Sequence, residues 1–168
     1  KYGAVGDFDI NVSFNIESYT GTDSELNFIL AEKPSSIIPG KHIFMALSNW
    51  TGYEKSYDIF ASDGNISDYI LTRATNDSFG KFRIKRVGDN FTFYTWNNSA
   101  LDWNEENVSQ NMFDLNPGLF IILESESAYP SWGSMNASWD NLETGISPLL
   151  YSASFNNTES FGVYNVTI

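Results

Sequence analysis

Ten asparagines open the tripeptide Asn-x-Ser/Thr with x other than proline: Asn11, Asn49, Asn65, Asn76, Asn90, Asn97, Asn107, Asn136, Asn156 and Asn165. That spacing makes the side-chain amide an acceptor for an N-linked glycan. With 18 Asn and 31 Ser plus Thr in 168 residues, chance placement gives about three such tripeptides. A glycan is bulky and hydrated, so its asparagine must face solvent. Asn11 alternates with Phe8, Ile10, Val12 and Phe14 and therefore falls on the opposite face. Asn136 lies opposite the Met135/Ala137/Trp139 face, and Asn165 opposite Tyr164, Val166 and Ile168. The other seven occupy turn-like or polar stretches. The expectation is a heavily N-glycosylated, exported chain.

Other chemistry is sparse. The chain has no cysteine and one histidine, His42. Disulfides, Cys-type zinc sites, iron–sulfur clusters and a Cys nucleophile are excluded. A Ser-His-Asp triad would have to use His42, which sits in an apolar run through Leu47. Glycoside hydrolysis needs two carboxyl groups about 5–5.5 Å apart for retention, or further apart for inversion. Glu124-Ser125-Glu126 is the nearest pair, on one strand face with Cα atoms about 7 Å apart, and it reads as a solvated strand end. Glu105-Glu106 reads as adjacent carboxylates in a loop. Asp102-Trp103-Asn104-Glu105-Glu106 offers oxygen donors to a hard cation, without the glycine and spacing of an EF-hand loop. Sugar rings stack on exposed aromatics beside Asp or Asn donors. Trp50, Trp96, Trp103 and Trp132 fall near loops or strand ends. Trp103 and Trp132 are the first candidates for carbohydrate binding, and Trp139 reads as core.

The elements that must carry these residues are strands. Period-2 alternation recurs and no long helix-period stretch appears. Strands are expected at Phe8–Ile16, Glu25–Ala31, His42–Ser48, Ser56–Ala61, Tyr69–Arg73, Lys81–Val87, Phe91–Trp96, Gly118–Glu126, Met135–Leu142 and Gly162–Ile168. Gly, Pro, Asn, Asp and Ser fill the intervals, and Val87-Gly88-Asp89-Asn90 reads as a tight hairpin. About ten strands in one domain-sized chain imply an all-β, two-sheet antiparallel β-sandwich. Thr144-Gly145 marks a break. Residues 1–145 are expected to form the sandwich domain, and 146–168 a C-terminal tail with one added strand.

Gly6-Asp7-Phe8-Asp9-Ile10-Asn11-Val12 resembles the first strand of concanavalin A-like jelly rolls, the lectin/glucanase and laminin-G-like sandwiches. Phe82 to Tyr94 resembles their paired central strands. Ala137-Ser138-Trp139-Asp140-Asn141-Leu142 resembles their last strand, which pairs back beside the first. The resemblance spans roughly residues 5–144. It implies a jelly-roll fold, and a structural calcium ion at Asp140 with backbone carbonyls near Gly6. No other cofactor is implied. The Glu-x-Asp-x-x-Glu motif of the similar glucanases is absent, so catalysis does not follow from the likeness.

The balance of 9 basic and 21 acidic residues gives −12 at pH 7. A free nucleic-acid binder is excluded, because phosphate contacts need a basic face. Docking on anionic lipid is disfavoured for the same reason. No apolar run approaches the ~18 residues of a membrane span. The chain opens on Lys1, so an export signal is expected to have been removed or to lie outside this sequence. Export without cysteine fits an archaeal surface better than a small eukaryotic secreted domain. The leading expectation is a non-enzymatic extracellular structural subunit of a cell-surface layer or filament. Its partners would be further copies or neighbouring surface subunits, met through apolar terminal segments. The last segment would pair within its own sheet or in a neighbour's by β-augmentation. A lectin-like adhesin domain is the second expectation, favoured by a bare face with Trp and Asp at its centre. A glycoside hydrolase is the third.

Overall fold

The computed structural model describes residues 3–4, 6–20, 23–32, 41–62, 67–110, 119–127 and 134–145. Its elements are β1 (Gly3–Ala4), β2 (Phe8–Thr20), β3 (Ser24–Ala31), β4 (His42–Asn49), β5 (Ser56–Ser62) and β6 (Ser67–Ala74), followed by β7 (Phe79–Val87), β8 (Asn90–Asn97), β9 (Asp102–Gln110), β10 (Leu119–Ser127) and β11 (Ser134–Thr144). They form two antiparallel sheets, ordered β1-β10-β3-β4-β5-β6 and β11-β2-β7-β8-β9.

Alternation explains why these sheets stack. In β2, Phe8, Ile10, Val12, Phe14 and Ile16 are buried while the residues between them are not. Phe82 and Ile84 of β7 and Phe91 and Phe93 of β8 extend that inner face. Leu26, Phe28 and Leu30, Ile43, Met45 and Leu47, and Tyr57, Ile59 and Ala61 meet it from the six-stranded sheet. Burying one large apolar side chain stabilises by about 1.5–3 kcal/mol, so this shared interior dominates the fold. Phe14 and Phe82 pack at 4.8 Å between ring centroids, and Tyr57 meets Phe82 edge-on at 5.8 Å. Gly80 makes that approach feasible, because a Cβ there would stand 3.1 Å from the Phe14 ring.

All the strands expected between Phe8 and Leu142 are present, and β11 pairs back along β2. Val87 pairs with Asn90 around Gly88-Asp89, with Gly88 at φ 60°. Gly at the first turn position with positive φ is the type II′ solution, whose twist matches the flanking strands. One reading needs correction, and two strands were not expected, β9 and β1. Glu105-Glu106 is not in a loop: it belongs to β9, paired to β8 from Asn97↔Asp102 onward. Its polar composition hid a strand whose partner supplies the ladder. The two-residue β1, too short to leave a pattern, pairs with Leu119 and Phe120. The strand expected at 162–168, and the whole 146–168 tail, lie outside the described residues.

Polar ties join the sheets at one end. Arg73 on β6 forms an ion pair with Glu106 on β9 at 2.6 Å and also bonds Thr95 on β8. Glu106 is 7 % exposed and accepts a further bond from Thr95. Asp77, in the crossover between β6 and β7, accepts from Tyr57, Thr75 and Asn98. Burial works against its charge, yet these hydrogen bonds and the nearby Arg73 hold its carboxyl below the ordinary carboxylate range. Burial, then the charge of Asp77, pushes the Tyr57 phenol far above its ordinary value.

Candidate functional site

The outer face of the five-stranded sheet is built from the residues that alternate with the core. Register places Glu143, Asn11, Arg83, Tyr94 and Glu105 in one row across all five strands. Strands stand about 4.8 Å apart, so the row crosses about 19 Å of surface. A recess of about 390 Å³ opens over its β11 half, lined by Asp9, Asn11, Arg83, Trp103, Glu143, Thr144 and Gly145. That volume falls in the range of small-molecule sites.

Arg83 organises the recess. Its Nε and a terminal nitrogen donate to the two carboxylate oxygens of Asp9 at 2.7 and 2.6 Å. Its guanidinium lies 5.0 Å from the Tyr94 ring centroid and 5.5 Å from that of Trp103. The bonds from Asp9 raise its already high pKa, so the charge is permanent. Trp103 is further fixed by Trp96, edge-on at 5.3 Å, whose ring carries the Lys81 ammonium at 4.4 Å. Burial, then Glu105, raises the pKa of Tyr94, which keeps that ring a neutral phenol. On the other side, Asn11 Nδ2 donates to Glu143 Oε2 at 3.1 Å. Gly145 N donates to the Asp9 carbonyl at 2.6 Å, and a Cβ at Gly145 would stand 3.2 Å from Asp9. The recess thus offers aromatic surface, an amide and two carboxylates around a cation already matched by Asp9.

Of the carbohydrate candidates, Trp103 lines this recess, and Trp132 lies outside the described residues. Trp139 packs against the core as expected. Trp50 Nε1 donates to Glu25 Oε1 at 2.9 Å, which also accepts from Ser48. Asp9, Arg83, Tyr94 and Glu143 were not singled out from the sequence. Alternation puts Asp9, Arg83 and Tyr94 on the outer face, whereas Glu143 reaches it through the register shift between Asp140 and Glu143, where Asn141 has φ 51°, and only the pairing of four strands brings them together.

Asp140 is exposed, stands opposite Ser13, and accepts from the Asn141 backbone at 2.7 Å. Gly6 precedes β2, about seven residues or some 23 Å of strand from that position. The carbonyls near Gly6 are therefore not brought to Asp140. Among the described residues no three His, Asp or Glu side chains converge as a metal site. In β9, alternation turns Glu106 inward to Arg73 and leaves Glu105 opposite Tyr94. Glu124 is not at a solvated strand end: it pairs with Asn27 within β10, and one of its carboxylate oxygens is buried. Glu126 stands opposite Glu25 in the same ladder. His42 stacks with Phe44 and Phe60 at 6.1 and 5.9 Å.

The glycosylation candidates are dispersed. Asn76, Asn90 and Asn136 are exposed, and Asn136 Nδ2 donates to Glu17. Asn49 ends β4, half-buried. Asn97 Oδ1 accepts from the Ser99 and Ala100 amides in the β8–β9 turn. Asn107 lies in β9 opposite Phe93. Asn65, Asn156 and Asn165 lie outside the described residues.

Two solved structures share this architecture. One is a functionally unknown protein from Saccharomyces cerevisiae, 10 % identical, with a TM-score of 0.59 over 84 % of this chain and 70 % of that one. The other is a mutant of the GH43 protein BlXynB from Bacillus licheniformis, 8 % identical, with a TM-score of 0.57. That match covers 82 % of this chain but only 27 % of BlXynB. At such identities the likeness is one of fold alone. No family model and no curated protein matches the chain.

Proposed function

We propose that this chain is a non-enzymatic, lectin-like carbohydrate-binding domain of an extracellular glycoprotein, and that the recess takes a neutral saccharide. The observation that carries the reading is Trp103 beside the Asp9–Arg83 pair, with Asn11 and Glu143 across the opening. An aromatic body supplies apolar surface for the C–H face of a sugar ring. Amide and carboxylate oxygens accept from hydroxyls, and a few fixed polar groups orient the ligand. Neutrality follows from charge. Arg83 is matched by Asp9, so Glu143 leaves the recess net negative, and an acidic sugar would meet repulsion. The scaffold is the concanavalin A-like jelly roll that the first, central and closing strands resemble. The cysteine-free composition fits an archaeal surface.

The second reading is the structural subunit of a surface layer or filament. It is favoured by exposed sequon asparagines at separate places, Asn76 in the β6–β7 crossover, Asn90 on β8 and Asn136 on β11. Glycans spread this way blunt edge-to-edge association and leave few permitted contacts.

A glycan array probed with the unglycosylated chain tests the first reading. Retention of neutral saccharides, lost in Trp103→Ala, supports it, and no retention of any saccharide sinks it. Electron microscopy of native material decides the second: ordered fibres or lattices support it, and monodisperse monomer removes it.

A further inference from the structure

Asn11 belongs to the recess and to a glycosylation tripeptide at once. It opens Asn11-Val12-Ser13, stands between Glu143 and Arg83 in the transverse row, and lines the opening with Trp103. A glycan linked to it must begin at Nδ2. One hydrogen of that nitrogen is donated to Glu143 at 3.1 Å. Glycosylation replaces one hydrogen of that nitrogen and keeps the other, so the first sugar starts inside the ring of residues that bounds the recess.

We infer that the glycan on Asn11 occupies this recess and closes it to external saccharide, so that occupancy of a single sequon sets whether the domain binds. The regulatory half of this inference rests on the carbohydrate-binding reading. The modification is a group transfer from a glycosyl phosphate-type donor, catalysed by the host's transferase. Nδ2 attacks the anomeric carbon, the N–C bond forms and the C–O bond to phosphate breaks. The phosphate leaves with the bonding pair, and Nδ2 gives one proton to the transferase's base. One N–H remains on Nδ2 as a donor beside Glu143. Trp103 then lies against the chain's own sugar, as it would against an external one.

Ser13 supplies a clean variant. It lies on the outer face opposite Asp140 and Lys81, outside the residues lining the recess. Ser13→Ala abolishes the sequon and keeps Asn11, while Ser13→Thr keeps both. Full chains are made in a glycosylating host, and peptide mass mapping reads occupancy at Asn11. Two readouts follow: binding to an array of neutral hexose and N-acetylhexosamine oligosaccharides, and quenching of tryptophan emission by iodide. Asn11 is expected to be occupied in wild type and Ser13→Thr. Ser13→Ala should bind the array about tenfold or more tightly than either. It should also quench more readily, and that difference should vanish in a Trp103→Phe background. An empty Asn11, or equal quenching of wild type and Ser13→Ala, overturns the inference. Protection of Trp103 without array binding by any form, bare chain included, upholds the filled recess. That outcome overturns both the regulatory half and the carbohydrate-binding reading.

Discussion

Arg83 on β7 grips Asp9 on β2 diagonally, reaching past its own ladder partner Asn11 to close two hydrogen bonds at 2.7 and 2.6 Å. The geometry requires a planar fork, which lysine lacks. Arg83→Lys and Asp9→Asn should each lower stability by about 1 kcal/mol, because the pair is partly exposed. Each should also weaken saccharide retention, since Arg83→Lys removes the guanidinium that Trp103 packs on and Asp9→Asn loosens the grip that holds it there. Thermal unfolding and array binding of the two variants check this. Wild-type binding by Arg83→Lys would show that the guanidinium does not shape the site.

Trp103 and Phe82 separate binding from folding. Trp103 is half-buried on the outer face, and Phe82 is fully buried between the sheets. Phe82→Ala should cost about 3–5 kcal/mol. Trp103→Ala should cost about 1 kcal/mol yet abolish saccharide retention. Denaturant titration alongside the array reads both quantities in one pair of variants.

Asp77 and Tyr57 predict opposite limbs of a pH–stability curve. The Asp77 carboxyl is held below its ordinary 3.8 in the fold. A lowered folded-state pKa stabilises at higher pH, and the contribution is lost as pH falls through 3.8 and below. The gap in Tm between wild type and Asp77→Asn should therefore shrink from pH 6 to pH 3. The Tyr57 phenol is raised above its ordinary 10.0. Its contribution is complete below pH 10 and is lost as pH rises beyond it. Tyr57→Phe should flatten that alkaline limb in thermal melts.

Arg73 and Glu106 tie the edge strands β6 and β9. Removing the arginine leaves a carboxylate only 7 % exposed without its cation. Arg73→Ala should cost about 2–3 kcal/mol, somewhat less than a fully buried pair because Arg73 itself reaches solvent. Adding Glu106→Gln should recover part of that loss, which a double-mutant cycle in urea measures.

Strand existence was legible because burial on one face imposes a period of two, as in Phe8 to Phe14. The hairpin at Gly88-Asp89 was legible because the positive φ of a type II′ turn selects glycine. The outward placement of Asn11 and Asn136 followed from the same alternation. β9 was not legible. Its Asp-Trp-Asn-Glu-Glu run contradicts strand propensity, and the ladder of β8 together with the Arg73 contact to Glu106 outweighs that local preference.

The recess shows the same division. Composition and alternation determined by themselves an acidic, cysteine-free, all-β chain rich in Asn-x-Ser/Thr tripeptides, with Trp103 a candidate for sugar stacking. Tertiary structure decided that Trp103 meets Arg83, that Arg83 takes Asp9, and that Asn11 faces Glu143. Those residues come from four strands spread over the whole described chain, and a one-residue slip in any ladder would turn one of them into the core. Register is fixed by the packing of two sheets, a collective property that no local stretch of sequence carries.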